Sequence, residues 1–197
     1  MKIARIDSFP ISSIRDIMEF MVSNRKIVLY IATSLDGYIA RENGDIDWLS
    51  MVESRNEDYG YKDFLKSVDT VIMGRGTYDQ VLTFGDFPYR DKKCYVISRT
   101  ARPKDDYVEF WSGDICKLIS EIRQKDGSNI WLVGGAQIAG EFLRKNLIDR
   151  YIISVLPILL GKGILLFHSD IPEIRLQLRR NVAYPSGLVQ LSYERSK

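Results

Sequence analysis

The stretch Ile130-Trp131-Leu132-Val133-Gly134-Gly135 decides the fold class, because four apolar residues run directly into a pair of glycines. An unbroken apolar run predicts a strand buried on both faces of a sheet, and residues 136–145 after it are predicted to form a helix. Glycine lets the backbone approach a ligand closely, and a helix that starts there directs free N–H groups at an anion. The stretch therefore predicts either a phosphate-binding turn of an α/β sheet or only a tight strand-to-helix turn.

The alternation of strand, loop and helix recurs from Lys26 onward. Apolar runs predict further strands at residues 27–32, 70–73, 94–97, 107–111 and 151–156, and helical pieces at residues 48–52, 59–67 and 115–125. Segments 173–182 and 188–194 alternate apolar and polar residues around a Tyr184-Pro185-Ser186-Gly187 turn, which predicts an antiparallel hairpin with one solvated face. The prediction is a three-layer α/β/α fold, with a mixed, mostly parallel twisted sheet that ends in an antiparallel C-terminal hairpin.

We expect one domain over residues 26–197, preceded by an N-terminal helical extension at residues 1–25. Ile11, Ile14 and Ile17 recur there at helical spacing. The charges in this segment and the missing small-residue cleavage site argue against a signal peptide. The extension either packs on the domain or a partner subunit, or the functional start is Met21.

The composition excludes several classes of function. The chain has 197 residues and a net charge of +2, so we expect no nucleic-acid partner, and no apolar run approaches the length of a membrane span. Cys94 and Cys116 form no CxxC pattern and His168 is the only histidine, which argues against a metal site and a Ser-His-Asp triad. A reduced, cytoplasmic compartment is the default for such a chain. Proton chemistry would have to come from a carboxylate, a tyrosine or water.

Two further predicted strands also end in residues that suit phosphate. One ends in Gly74-Arg75-Gly76-Thr77 and the other in Ser98-Arg99-Thr100. Ligands of open α/β sheets bind at the carboxyl ends of the strands, where hydroxyls donate to phosphate and arginine matches its oxygens. A 2′-phosphate between Arg75 and Arg99 would favour NADP over NAD; the alternative is that both arginines are merely solvated. Neither a GxGxxG nor a GxxxxGK[ST] motif occurs.

Four blocks of the sequence occur in order with fitting spacing. They are Tyr30-Ile31-Ala32-Thr33-Ser34-Leu35-Asp36-Gly37-Tyr38-Ile39-Ala40 with Trp48 after it, Met73-Gly74-Arg75-Gly76-Thr77-Tyr78, residues 130–135 with Leu147-Ile148-Asp149-Arg150-Tyr151-Ile152, and Pro157-Ile158-Leu159-Leu160-Gly161-Lys162-Gly163. Together they resemble the dihydrofolate reductase superfamily, and the last block is typical of its riboflavin-biosynthesis reductase branch. The resemblance covers residue 26 to the C-terminus.

The resemblance implies an NADPH-dependent reductase and assigns its cofactor-binding residues. The nicotinamide would lie against Ala32, Ile39 and Ala40. The phosphates and the adenosine would be held by Gly74, Arg75, Thr77, Ser98 and Arg99. Gly134 and Gly135 would be joined by a cis peptide bond, and Gln137 and Ile138 would cover the cofactor from the following helix.

The substrate side departs from the folate pattern. The resemblance places Glu53 where folate enzymes have their acid, and Asp36 in the loop over the site, so both are candidate catalytic residues. The alternatives are an exposed helical glutamate and a turn-ordering aspartate. Trp48 and Ser154 are candidate substrate contacts, and Trp48 is alternatively a core residue.

The leading hypothesis is hydride transfer from NADPH to a C=N or C=O carbon of a small heterocyclic or carbonyl substrate. The riboflavin branch implies a substrate such as 5-amino-6-(5-phosphoribosylamino)uracil, although no deaminase zinc motif is present. The alternatives are a non-catalytic or regulatory NADP-binding protein on the same fold, or dihydrofolate reductase activity. The resemblance also implies a homodimer, to which the apolar stripe of the N-terminal segment could contribute.

Overall fold

A computed structural model of the chain describes residues 25–54, 56–100 and 105–196. The predicted helical extension at residues 1–25 lies, apart from Arg25, outside the described residues. Within the described ranges, no helix is both long enough and apolar enough to cross a membrane.

The described chain forms an eight-stranded sheet and a small two-stranded one. The strands in chain order are β1 Ile27–Ser34, β2 Tyr38–Ala40, β3 Val68–Gly74, β4 Lys93–Ile97, β5 Val108–Trp111, β6 Asn129–Gly134, β7 Arg150–Leu156, β8 Ile164–Leu165, β9 Leu176–Ala183 and β10 Val189–Arg195. The large sheet has the order β5-β4-β3-β6-β1-β7-β10-β9. Its first six strands pair in parallel, and β10 is antiparallel to both β7 and β9.

Helices cover both faces of the large sheet. The α-helices are α1 Tyr61–Lys66, α2 Arg75–Val81, α3 Ile115–Arg123 and α4 Ala136–Arg144, and 3-10 helices span Asp47–Val52 and Leu82–Phe84. The helices α3 and α4 pack with Ile27 and Leu29 of β1 on one face, whereas α1 and α2 pack with Val28 on the other. Successive strand residues point to opposite faces, so the apolar runs supply both cores. The predicted fold class, including the antiparallel C-terminal hairpin, is confirmed.

The pairing of β2 with β8 is absent from the sequence-based prediction, which treated the segment after β1 as a polar loop. In this small sheet Tyr38 pairs with Leu165 and Ala40 with Ile164. Strands of two and three residues carry no periodic pattern, so the pairing depends on contacts between distant parts of the chain. It holds the segment containing Ile39 and Ala40 beside the end of β1.

Asp36 connects this segment to the loop after β7. Its carboxylate accepts hydrogen bonds from the Ser34 hydroxyl (2.6 Å) and from the backbone N–H groups of Leu160 (3.1 Å) and Gly161 (2.7 Å). The Ser34 hydroxyl and these N–H groups hold the pKa of Asp36 below its usual range, because each bond favours the charged form. The structure thus gives Asp36 the turn-ordering role that was the alternative to catalysis.

We expect Asp36→Asn to lower the melting temperature more at pH 7 than at pH 3. A carboxyl whose pKa is lowered by folding stabilises the folded state above its unfolded pKa of about 4, and this contribution is lost as the pH falls through the folded pKa. The measurement is thermal unfolding of both proteins across this pH range. Asp63→Asn is the control, because Asp63 pairs only with Lys66 on the surface. An equal loss of melting temperature at both pH values would contradict the assignment.

Candidate functional site

A cleft of about 1310 Å³ lies at the carboxyl ends of the parallel strands. Five neighbouring strands contribute to it where they end, through Ala32, Gly135, Gly74, Ser98 and Ser112. This is the edge where open α/β sheets bind their ligands. Its volume exceeds the roughly 300–1,000 Å³ of an ordinary small-molecule pocket, so it has room for an extended ligand.

The glycine pair lies at the middle of this edge. The Gly134–Gly135 peptide bond is cis, as the resemblance implied, and Gly134 has a φ of 121° that favours glycine. Gly135 is the N-cap of α4, and no side chain caps the first N–H groups of that helix. These N–H groups can donate to an anion in the cleft.

The loop after β3 packs tightly against the glycine pair. A Cβ atom on Gly74 would lie 3.5 Å from Ile138 Cγ2, and a Cβ atom on Gly135 would lie 3.4 Å from Thr77 Oγ1. Met73 and Gly134 are partners in the strand register. The two glycine-containing loops that the sequence singled out therefore form one continuous surface.

Two arginines follow β3 and β4 on this surface. Arg75 begins α2, and its guanidinium lies 3.3 Å from Asp79 Oδ2 and donates to the Thr100 hydroxyl at 3.4 Å. Arg99 lines the large cleft and also a second cleft of about 420 Å³ that contains Arg144 and His168. The Ser98 side chain is buried, and its hydroxyl donates to the backbone oxygen of Thr100 at 2.9 Å. This end of the cleft is polar and carries positive charge.

The opposite end of the cleft is apolar and aromatic. Its lining includes Tyr30 and Val133 on the sheet, Leu49 of the first 3-10 helix, and Tyr89 in the loop after α2. Gln80 spans its mouth, because its side-chain amide donates to the backbone oxygen of Gly44 at 3.0 Å. Among the described residues, no group of three or more His, Cys, Asp or Glu side chains could hold a metal ion.

The structure brings nearly all of the predicted cofactor-binding residues into this one cleft. Those that line it are Ala32, Ile39, Ala40, Gly74, Arg75, Thr77, Ser98, Arg99, Gly135, Gln137 and Ile138. Gly134 does not line the cleft and takes part through its peptide bond to Gly135. Their shared position is a finding, and their binding of a cofactor stays a prediction.

The predicted catalytic and substrate residues lie outside the cleft lining. Glu53 is exposed at the end of the first 3-10 helix, and Asp36 is engaged by the turn described above. Trp48 is 4% exposed and packs with Val52 and Leu156 in a separate cluster. Its indole Nε1 is buried without a hydrogen-bond partner within the described part of the chain.

Ser154 is also outside the lining. It is buried on β7, and its hydroxyl accepts a hydrogen bond from the Gln190 amide at 3.2 Å. Gln190 lies on β10, the neighbour of β7 on the side away from the cleft. The bond therefore fixes the antiparallel end of the sheet.

Sequence reasoning missed part of the lining. Ser112 and Gly113 directly follow β5, so the argument from strand ends that found Ser98 and Arg99 would have found them too. Phe84 ends a three-residue 3-10 helix and Tyr89 lies in the loop after it, and nothing in the sequence assigned either residue to a site. Gln80 is recognisable only from its contact with Gly44.

The chain resembles proteins in three comparisons. A profile of the RibD C-terminal domain matches residues 25–190. The uncharacterized protein YwjB of Bacillus subtilis is 44% identical over 174 residues, which is 87% of this chain and 99% of that protein. The uncharacterized protein YyaP of the same organism is 32% identical over 184 residues, covering 87% and 96% of the two chains.

Solved structures show the same fold. A Shewanella sp. PV-4 protein described under riboflavin biosynthesis has 33% identity and a TM-score of 0.81, covering 87% of this chain and 99% of that one. A Thermotoga maritima deaminase/5-amino-6-(5-phosphoribosylamino)uracil reductase has 16% identity and a TM-score of 0.66, covering 87% and 57%. Enterococcus faecalis dihydrofolate reductase complexed with NADP(H) has 14% identity and a TM-score of 0.62, covering 87% and 97%.

At 14–16% sequence identity, the last two similarities show a shared fold alone. The profile match and the two Bacillus relatives, by contrast, span most of the sequence. The chain belongs to the RibD C-terminal domain family.

Proposed function

We propose that this protein is an NADPH-dependent reductase that transfers hydride to a C=N or C=O carbon of a small heterocyclic or carbonyl substrate. The observation that carries the proposal is the division of one cleft into a glycine- and arginine-lined end and an apolar end. The first end suits the phosphates of a dinucleotide and the second suits a flat substrate. The reaction in the name of the Thermotoga relative, reduction of a pyrimidine derivative, belongs to this class.

The residues present fit a bound dinucleotide. Gly74 and Gly135 leave the backbone accessible, and the uncapped start of α4 offers N–H groups to a pyrophosphate. Thr77 and Arg75 add a hydroxyl and a guanidinium to the same wall. The dihydrofolate reductase with the same fold was solved with NADP(H) bound, which supports this choice of cofactor.

When bound, NADPH supplies the hydride, while the protein orients the reactants and excludes water. The proton that completes the reduction would come from water at the mouth of the cleft. Burial raises the pKa of Tyr30 to about 12, so this phenol stays protonated at neutral pH and is a weak acid. Asp36 is occupied by the turn and Glu53 lies outside the lining.

We expect Arg75→Ala to weaken NADPH binding about tenfold or more. A charge-assisted hydrogen bond to phosphate is worth about 1.5–3 kcal/mol, and about 1.4 kcal/mol corresponds to a factor of ten. The measurement is titration of NADPH fluorescence with wild type and variant. Arg179→Ala, on β9 at the far edge of the sheet, is the control and should bind as wild type does. Failure of the wild-type protein to bind NADPH would refute the proposal.

We expect Arg99→Ala to remove a preference for NADPH over NADH. Arg99 lines both the large and the small cleft, and we assign its guanidinium to the 2′-phosphate that only NADPH carries. The ratio of the two dissociation constants should fall about tenfold, with NADH binding nearly unchanged. An equal loss of affinity for both cofactors would place Arg99 elsewhere on the dinucleotide.

One observation favours a second candidate, a non-catalytic NADP-binding protein. The carboxylates that line the cleft are Asp86, whose side chain is 90% exposed and pairs with Arg90 at 2.9 Å, and Glu141 on α4. No acid of the described residues is therefore enclosed at the apolar end. Such a protein would bind NADPH without oxidising it in the presence of carbonyl or heterocyclic acceptors.

The turnover rate of Glu53→Gln distinguishes a proton supplied by Glu53 from a proton supplied by water. If water supplies the proton, the rate of NADPH oxidation with a reducible acceptor should stay within about twofold of wild type, since Glu53 lies outside the lining. A fall of a hundredfold, the typical effect of losing a general acid, would restore Glu53 as the proton donor. Absence of turnover in wild type with NADPH binding intact would favour the non-catalytic candidate.

A further inference from the structure

The apolar end of the cleft forms a chamber with aromatic and aliphatic walls. We call it the apolar chamber and define it by Tyr30, Leu49, Val81, Phe84, Tyr89 and Val133. Four of these residues (Tyr30, Val81, Tyr89 and Val133) belong to the cluster that α1 and α2 form with one face of the sheet. Leu49 and Ala32 both pack against the cluster of Trp48, Val52, Leu156 and Leu188.

The arginines of the cleft are assigned to the cofactor rather than to the chamber. Arg75 is held by Asp79 and Thr100 at the start of α2, whereas Val81 is the last residue of that helix. Six helical steps separate the two residues by about 9 Å. Arg99 lines the second cleft together with Gln137 of α4. Because both guanidinium groups are assigned to phosphates of bound NADPH, neither is available to a phosphate of the substrate.

Two polar groups at the chamber are engaged by the protein itself. The Tyr30 hydroxyl lies 3.4 Å from the backbone oxygen of Tyr59 and 3.4 Å from the amide of Gln190, both within hydrogen-bonding distance. Gln80 uses its amide on Gly44. A ligand therefore meets ring faces and alkyl groups in the chamber, a surface suited to a flat, weakly polar molecule.

Three cations that lie close to cleft-lining residues in sequence are each paired with a carboxylate. Each has a carboxylate within 3.0 Å: Arg41 with Asp47 at 2.6 Å, Lys162 with Glu42 at 2.9 Å and Arg90 with Asp86 at 2.9 Å. A phosphate beside one of these cations would have to compete with its carboxylate. Among the described residues these three paired cations are therefore weaker phosphate contacts than unpaired ones.

From these contacts we infer that the hydride acceptor is an uncharged aromatic carbonyl compound or heterocycle without a phosphate group. The inference rests on the proposed reductase function. A phosphate is destabilised when it leaves water and gains no cation or N–H donor in exchange. A neutral ring instead gains apolar contact area in the chamber. One hydride from NADPH and one proton from water convert C=O to CH–OH or C=N to CH–NH, and NADPH becomes NADP⁺.

A pair of ligands that differ only in the phosphate tests this inference. The probes are 5-amino-6-(5-phosphoribosylamino)uracil and the same compound without its phosphate, titrated calorimetrically into the NADPH-loaded protein. We expect removal of the phosphate to leave the dissociation constant within about fivefold or to lower it. Weakening beyond fivefold, or binding of neither compound, would overturn the inference. If NADPH itself does not bind, the proposed function fails, and this outcome is distinct from a failure of the inference.

A second test introduces a positive charge into the chamber. Leu49→Arg should tighten binding of the phosphorylated compound at least tenfold relative to wild type, because it supplies the missing cation. Leu82→Arg is the matched control, since Leu82 is exposed nearby but does not line the cleft. An equal effect of both variants, or none from Leu49→Arg, would contradict the assignment of the chamber.

Arg55 lies outside the described residues and is tested directly. Arg55→Ala should leave the affinity for the phosphorylated compound unchanged. A tenfold loss confined to that compound would identify a phosphate contact at Arg55 and overturn the inference.

Discussion

The parallel pairing of β6 between β1 and β3 is the constraint on which the site depends. In this register Leu29 pairs with Leu132 and Met73 pairs with Gly134. Gly135 therefore leaves the sheet between the ends of its two neighbours and lines the same cleft as Thr77 and Ala32. A shift of one residue in β6 would exchange its two faces and would carry the glycine pair out of line with Gly74.

The two ends of the cleft have different structural origins. The polar end is made by residues that directly follow strands, such as Gly74, Ser98 and Ser112, so the hydrogen bonds of the sheet fix their positions. The apolar end is completed by intervening loops, which bring Leu49 and Tyr89 over the sheet. The hydrogen bond from Gln80 to Gly44 is one link between these loops.

This division explains how much could be predicted from the sequence. Apolar runs predicted the strands, and the residues after them were correctly expected at one edge, because parallel strands must end together. The contacts of Asp36 with Leu160 and Gly161 join segments more than 120 positions apart, and no local pattern encodes them. Glu53 was assigned by resemblance alone, and it emerges at the exposed end of a 3-10 helix.

The same division determines what a shared fold can say about chemistry. At 14–16% identity the fold is retained with TM-scores of 0.62–0.66, and a phosphate cradle built from backbone N–H groups would depend on the backbone more than on side chains. The apolar chamber depends on side chains, and Leu49, Phe84 and Tyr89 among them come from outside the large sheet. Likeness of fold therefore bears on the end of the cleft that surrounds Gly134 and Gly135. At the other end, the substrate has to be inferred from the charges and rings that this chain itself provides.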